Sequence, residues 1–401
     1  MTVQDTVSSW DQLLQIAQAR TPVRRVRRPG HPSTAPIPSS LHKLAPSEKP
    51  PVLLYRDTNS WCPFCERVWF ALEEKEIPFE TEFIDLSNKP KWYTDLVPTT
   101  LVPAARIEGK LIYESKDILL ALEERFGPSL LPDDPIDNAV ARQRIEDAET
   151  SGFISISYKF LRQATADTDE TTLQAALEAK LDDLEQALTQ YPGPYFMSTF
   201  SLVDIMYSPH LDRLAANAPV FRRYHIKGPR FPRLNAWFEA INQRPAYHRV
   251  KSDPSTNNLL LRRRWGLEPV GNPLPLDAAE SEALHYRAEA AERLSDNHEV
   301  AIKDILKNSG VQALATEESL FAIQDAVDFH LRLLAEYLLN RDALLPWGRI
   351  GGKDNFDPIV AAVGAIALAY VRNRICAPRD MSAGAATALR AAADKVLASI
   401  Y

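Results

Sequence analysis

The chain has 401 residues, 45% hydrophobic and 25% charged. That balance excludes a disordered chain and, at ~150 residues per domain, leaves room for two or three domains. Its 46 Lys and Arg against 53 Asp and Glu give a net charge of −7, so there is no basic excess for a dedicated nucleic-acid binder; with only 14 glycines and no G-x-G-x-x-G or G-x-x-x-x-G-K-[ST], a glycine-built phosphate cradle is excluded as well. Residues 1–50 read as an N-terminal extension. One short amphipathic helix with Trp10, Leu13, Leu14 and Ile16 precedes a Pro- and Arg-rich stretch expected to wrap the surface or stay mobile. The basic, acid-free run 20–28 has some transit-peptide character, but Asp5 and Asp11 precede it and no apolar signal core is present, so a cytoplasmic location is expected.

From Pro51 the texture changes. The pattern predicts a strand at 52–55, a helix over 63–75, a strand over 79–86, a hairpin of 101–107 with 110–113 turning at Glu108-Gly109, and a helix over 115–126. This β-α-β, β-β-α order is a compact α/β module. Between 133 and 263 the period is near 3.6 throughout, over 139–161, 173–191, 202–217 and 232–244. Ser201 and Asp204 bracket a helix-start signal with Phe200 as a staple, while Tyr158, Tyr207 and Trp237 read as core or as acceptor-pocket residues. A Pro-rich joint at 268–275 opens a third segment, helical over 278–294, 298–307, 317–339, 357–374 and 383–399. Its apolar run 359–371 is shorter than the ~20 residues a bilayer requires, so no membrane partner is expected. That run and the stripe Phe321, Val327, Leu331, Leu334 and Leu338 need cover, expected from docking onto the preceding helices.

Two of the three cysteines lie in Cys62-Pro63-Phe64-Cys65. Three cysteines make no disulfide framework, which points to a reducing compartment. The C-x-x-C falls at a strand-to-helix junction, with Cys62 at the N-cap and Pro63 at the first helical position, where a missing N–H is harmless. The free N–H groups and the positive end of the helix dipole favour a thiolate on Cys62. Cys65 lies one turn along the same face, either to resolve a mixed disulfide or simply to be buried, and Arg67 adds positive charge. No second C-x-x-C or His pair completes a zinc site, so no metal is expected. Cys376 reads as packing, and no His is placed to act in catalysis.

The string Cys62-Pro63-Phe64-Cys65, followed in order by Asn88-Lys89-Pro90, Leu101-Val102-Pro103 and Tyr113-Glu114-Ser115, resembles the cysteine-active-site branch of the glutathione transferase superfamily over residues 51–250. The extensions at both ends, and Arg374-Ile375-Cys376-Ala377-Pro378-Arg379-Asp380-Met381, are most like the iota class. The resemblance implies an α/β thioredoxin-like glutathione-binding domain (51–128), an all-α transferase domain (129–265) and a helical C-terminal extension (266–401). It implies glutathione as co-substrate, with Val102 before a cis Pro103 leaving its backbone open to an extended peptide. Ser115, as N-cap, would offer N–H groups to the γ-glutamyl carboxylate, Glu114 would hold its ammonium, Lys89 would meet the glycyl carboxylate, and Phe64 would touch ligand.

The activity implied is glutathione-dependent thiol transfer through Cys62, with Cys65 as the second thiol. Its acceptor would be a glutathionylated or hydrophobic small molecule, dehydroascorbate among them. Competing readings are reduction of glutathionyl-hydroquinones, non-catalytic binding of a pigment or quinone, and a [2Fe–2S] cluster, against which Pro63 argues. A related hydroquinone-reducing class has Ala where Cys65 stands. Family dimers use a face that the extensions would cover, so a monomer is favoured.

Overall fold

A computed structural model describes residues 7–21, 25–27, 34–36, 38–45, 48–162, 169–314, 320–344, 358–375 and 377–400; Cys376 and part of the 20–28 run lie outside the described residues. The chain divides into two units, Pro38–Leu274 and the pair Met1–Ile37 with Pro275–Tyr401, each with a buried core of its own. The N-terminal stretch supplies helix α1 (Trp10–Arg20) and a short antiparallel pair, β1 (Arg25–Arg27) and β2 (Thr34–Pro36).

In the Pro38–Leu274 unit the chain runs β3 (Val52–Asp57), α2 (Pro63–Glu74), β4 (Phe79–Ile84), α3 (Lys91–Leu96), β5 (Ala104–Ile107), β6 (Lys110–Tyr113) and α4 (Ser115–Arg125). The sheet order is β4-β3-β5-β6, with β3 parallel to β4 and antiparallel to β5. Five of the six β3 residues are buried, as a central strand of a covered sheet requires. The β5–β6 hairpin turns where expected: Glu108 (φ 49°) and Gly109 (φ 86°) both adopt the positive φ that a tight two-residue turn demands. Two expectations need correction. The strand expected over 101–107 begins only at Ala104, because the cis Val102–Pro103 bond holds the preceding residues out of the ladder. Helix α3 was not expected; six residues burying only Tyr93 carry too short a pattern to read.

The rest of this unit is helical: α5 (Pro135–Thr150), α6 (Phe153–Arg162), α7 (Glu170–Ala187), α8 (Leu202–Arg222), α9 (Pro232–Ile241), α10 (Pro245–Val250) and α11 (Pro254–Trp265). The single helix expected over 139–161 is two, broken at Ser151–Gly152, where Gly152 takes φ 82°. Helix α8 is the buried axis of the unit. At its start, Asp204 accepts from Ser201 N–H (2.8 Å) and Oγ (3.0 Å), and its other oxygen accepts from Trp237 Nε1 at 2.9 Å. Tyr207 and Trp237 are therefore core residues. The Pro-rich joint is anchored, because the N–H groups of Val270 and Gly271 both donate to Val220 O, at 2.9 and 2.8 Å. A Cβ on Gly271 would stand 2.1 Å from Pro219 O, so only glycine fits there.

The second unit joins α1 to α12 (Ala278–Glu282), α13 (Leu284–Asp296), α14 (His298–Asn308), α15 (Leu320–Leu339), α16 (Pro358–Arg374) and α17 (Ala383–Ile400). Helix α1 is built into the core of this unit. Ser9 and Gln12 form its capping box, Leu13 and Ala17 are fully buried, Trp10 stacks on His298 at 4.6 Å, and Trp10 Nε1 donates to Asp328 Oδ1 at 2.7 Å. Val327, Leu331, Leu334 and Leu338 share one cluster with Val363, Ala367 and Leu368 of the apolar run; the side chain of Phe321 lies outside the described residues. These stripes pack against the unit's own helices. No described helix is long and apolar enough to cross a membrane.

Candidate active site

The turn before α2 is locked from below. Asp57, at the buried end of β3, accepts from Trp61 N–H at 2.6 Å, and Arg56 donates to Ser60 Oγ at 2.8 Å while its guanidinium lies 3.8 Å over the Trp69 ring. Ser60 takes φ 61°, a left-handed conformation these contacts hold in place. The chain then enters α2 with Cys62 at the N-cap and Pro63 at the first helical position, as expected.

Cys62 is half-buried and its Sγ lies 3.8 Å from Val102 O. The Val102–Pro103 peptide is cis, and among the described residues the Val102 N–H has no hydrogen-bond partner. An extended ligand backbone laid along Val102 would therefore sit beside the Cys62 sulfur. Cys65 differs sharply. It is 1% exposed, and burial, followed by a hydrogen bond with Cys62, pushes its thiol far above the ordinary range. The two cysteines are brought together, but only Cys62 is presented.

The remaining expected site residues surround this edge. Lys89 is half-buried and donates to Thr100 O at 2.8 Å; an ammonium carries three donors, so it braces the 100–103 loop and retains capacity for a carboxylate. Tyr93 OH secures the same loop through Leu101 O at 2.6 Å. At α4 the residue assignment shifts by one: Glu114, exposed at φ 68°, is the N-cap, and Ser115 is the first helical residue, buried, with Arg67 Nη1 at 3.3 Å from its Oγ. A positive φ on glutamate is the kind of backbone cost found at ligand clamps.

Arg67 and Tyr158 were expected near this site, but their partners were not, nor were Arg213, Glu66 and His210. Arg67 is no surface charge: it is fully buried, ion-paired with Glu149, and donates to Met206 O at 2.9 Å. Arg213 of α8 donates to Trp61 O (3.0 Å), immediately before Cys62, and to Pro209 O (2.9 Å), and it pairs at 2.8 Å with Glu66, one turn after Cys62. Burial raises Glu66 to about 7 even against that charge. His210, one turn earlier on α8, sits edge-on to Phe64 at 5.2 Å and to Tyr158 at 6.2 Å, and Tyr158 is edge-on to Trp265 at 5.7 Å. Burial, with Arg67 and Arg213 near, keeps His210 neutral. Helical spacing from Met206 to Arg213 was the available signal, but it names no partner. Among the described residues, no group of three or more His, Cys, Asp or Glu is placed to hold a metal.

This geometry lies where family models match: "Glutathione S-transferase, N-terminal domain" over residues 61–125 and "Glutathione S-transferase, C-terminal domain" over 139–240. Protein IN2-1 homolog A of Oryza sativa subsp. japonica is 34% identical over 220 residues, which is 53% of this chain and 87% of that protein. Glutathione S-transferase L3 of Arabidopsis thaliana is 34% identical over 49% of this chain and 81% of its own length, and glutathione S-transferase omega-1 of Sus scrofa 30% over 52% and 85%. The crystal structure of glutathione transferase Omega 3C from Trametes versicolor matches at 28% identity over 54% of this chain and 91% of that chain, with a TM-score of 0.47. The chain belongs to the glutathione S-transferase family, in its cysteine-type branch, and is a glutathione transferase with glutathione as co-substrate.

Proposed function

We propose that the protein is a thiol transferase and reductase that removes glutathione from mixed disulfides and reduces dehydroascorbate-type acceptors, with Cys62 as nucleophile. The supporting observation is the placement of a half-buried Cys62 sulfur at a helix N-cap beside the open Val102 backbone. The Cys62 thiolate attacks the glutathione sulfur of a GS–SR disulfide; that S–S bond breaks, and the RS⁻ that leaves takes a proton. The resulting Cys62–S–S–glutathione is attacked by a second glutathione thiolate, which releases oxidised glutathione and restores Cys62. A buried thiol held far above its ordinary range is a poor attacking group at neutral pH, which favours glutathione over Cys65 as the resolving thiol. In this reading Val102 and Pro103 pair with the peptide, Lys89 meets the glycyl carboxylate, Glu114 and Ser115 hold the γ-glutamyl end, and Phe64 contacts the bound glutathione.

The finer class is iota, supported by extensions at both ends and the 374–381 string. The protein is read as a cytosolic monomer, with the free thiols of Cys62 and Cys65 fitting a reducing compartment. The test is a panel of a glutathionylated disulfide, dehydroascorbate, a glutathionyl-hydroquinone and an aryl halide. Cys62→Ser should lose thiol transfer to below a tenth of wild type, since an alcohol is a poor nucleophile toward sulfur. Retention above that level moves the nucleophile elsewhere.

A further inference from the structure

The unit formed by the two extensions contains a cleft that the transferase chemistry does not use. It holds about 360 Å³ between α13, α14, α16 and α17, within the size range of small-molecule sites. Its inner wall is apolar, with Leu294, Ile305, Val371, Ile375, Met381 and Leu389. Three arginines, Arg293, Arg374 and Arg379, face two aspartates, Asp304 and Asp380, so the lining carries one net positive charge.

The wall made by Arg374, Ile375 and residues 379–381 is held in shape by buried charges. Arg390, fully buried, donates to the carbonyls of Arg372 and, at 3.1 Å, Ile375. Arg293, 4% exposed, donates to Asp380 O at 2.8 Å. Glu289 accepts from Ser382 N–H at 2.9 Å and from its Oγ at 2.6 Å, fixing the start of α17. Burying ionised groups is an inefficient route to stability and a good one to a single defined shape. A preformed wall lowers the ordering cost of binding. At the mouth, Arg374 is 42% exposed and meets Asp304 at only 3.4 Å, while Tyr370 OH takes the same Asp304 oxygen at 2.9 Å. The Arg374 fork is therefore the group at this mouth most open to an incoming anion.

From these features we infer that the cleft is a binding site for a small amphipathic anion, an apolar body carrying one carboxylate, sulfonate or phosphate group. The body lies against Leu294, Val371 and Met381, and the head group meets Arg374.

The probe is anilinonaphthalene sulfonate, titrated by fluorescence into the full-length protein with saturating S-hexylglutathione to occupy the transferase site. Wild type should retain one saturable component under that block. Ala301→Trp, which fills the cleft, should abolish it, and Arg374→Gln should weaken it about tenfold or more, the loss expected for a hydrogen bond to a charged group. Val300→Glu, at a rim position 47% exposed and so harmless to folding, should weaken it as well and guards against misfolding of the tryptophan variant. Thiol transfer should be unchanged in all three. Absence of the blocked-site component in wild type, or its survival unaltered in Ala301→Trp and Val300→Glu, overturns the site. If neutral Nile red competes with equal affinity and Arg374→Gln changes neither probe, the anionic assignment falls.

Discussion

Glu66→Gln tests the strap that α8 places around Cys62. Glu66 is 3% exposed, and burial raises its carboxyl from 4.5 to about 7 despite the Arg213 guanidinium 2.8 Å away. A carboxyl raised in the folded state binds more protons there than in the unfolded chain, so its contribution is present at low pH and is lost as pH rises toward the folded value. Between pH 5 and 8 those two values give a loss of about 2–3 kcal/mol from Glu66 alone. Asp204, raised by burial to about 6, adds a loss of the same sign and remains in the variant. Urea unfolding at pH 5, 6.5 and 8 reads the effect. Five of the seven tryptophans fall between residues 61 and 265, so fluorescence reports mainly the glutathione-binding unit. The variant should gain about 2–3 kcal/mol on wild type across that range, whatever its stability at pH 5. Parallel pH curves for the two proteins would refute a raised Glu66 and the buried pairing behind it.

Two outcomes concern the chemistry. Cys65→Ser should keep most of the thiol-transfer rate with glutathione as reductant, measured under steady-state conditions; total loss would require the dithiol route. Lys89→Ala should raise KM for glutathione with little change in kcat, an effect of about 1–2 kcal/mol for one partly exposed charged contact, and an unchanged glutathione dependence would leave Lys89 as a brace for Thr100 only.

The parts of the site legible in the sequence are those whose neighbours are local. Cys62 at the N-cap, Pro63 after it, the Glu108-Gly109 turn and the Ser201–Asp204 start all rest on contacts within four residues, and each stands where the pattern put it. Ser115 is one position from its expected cap because Glu114 adopts a positive φ that no propensity would assign to glutamate. Arg213, and the burial of Arg67, were opaque for another reason. Their partners lie 152 and 139 residues away, and a buried arginine looks the same as a surface one until the fold supplies its carbonyls. The break at Gly152 was hidden inside an apolar period that continues on both sides of it.

Separation in sequence also hid the partnership of the two extensions, and here the energetics can be measured. The α1 residues Leu13 and Ala17 are 1% and 0% exposed, closed over by a cluster drawn from residues 288–396. Arg20 Nη1 donates to Leu339 O at 3.0 Å and Ser8 N–H to Glu336 at 3.1 Å, so the helix is fastened at both ends. Leu13→Ala should therefore open a cavity and destabilise this unit by about 2–4 kcal/mol, the range for a buried leucine. The glutathione-binding unit has a separate core, so thiol transfer under native conditions should stay at the wild-type rate. Hydrogen exchange resolves the two: amides of α13 and α15 should lose protection by roughly 30- to 1,000-fold, converting that energy at 1.4 kcal/mol per tenfold, while those of α2 and α8 hold theirs. Unchanged protection in α13 and α15 would mean that the helix lies on the unit without being part of its cooperative core. Equal loss in α2 and α8 would mean that the two cores unfold as one.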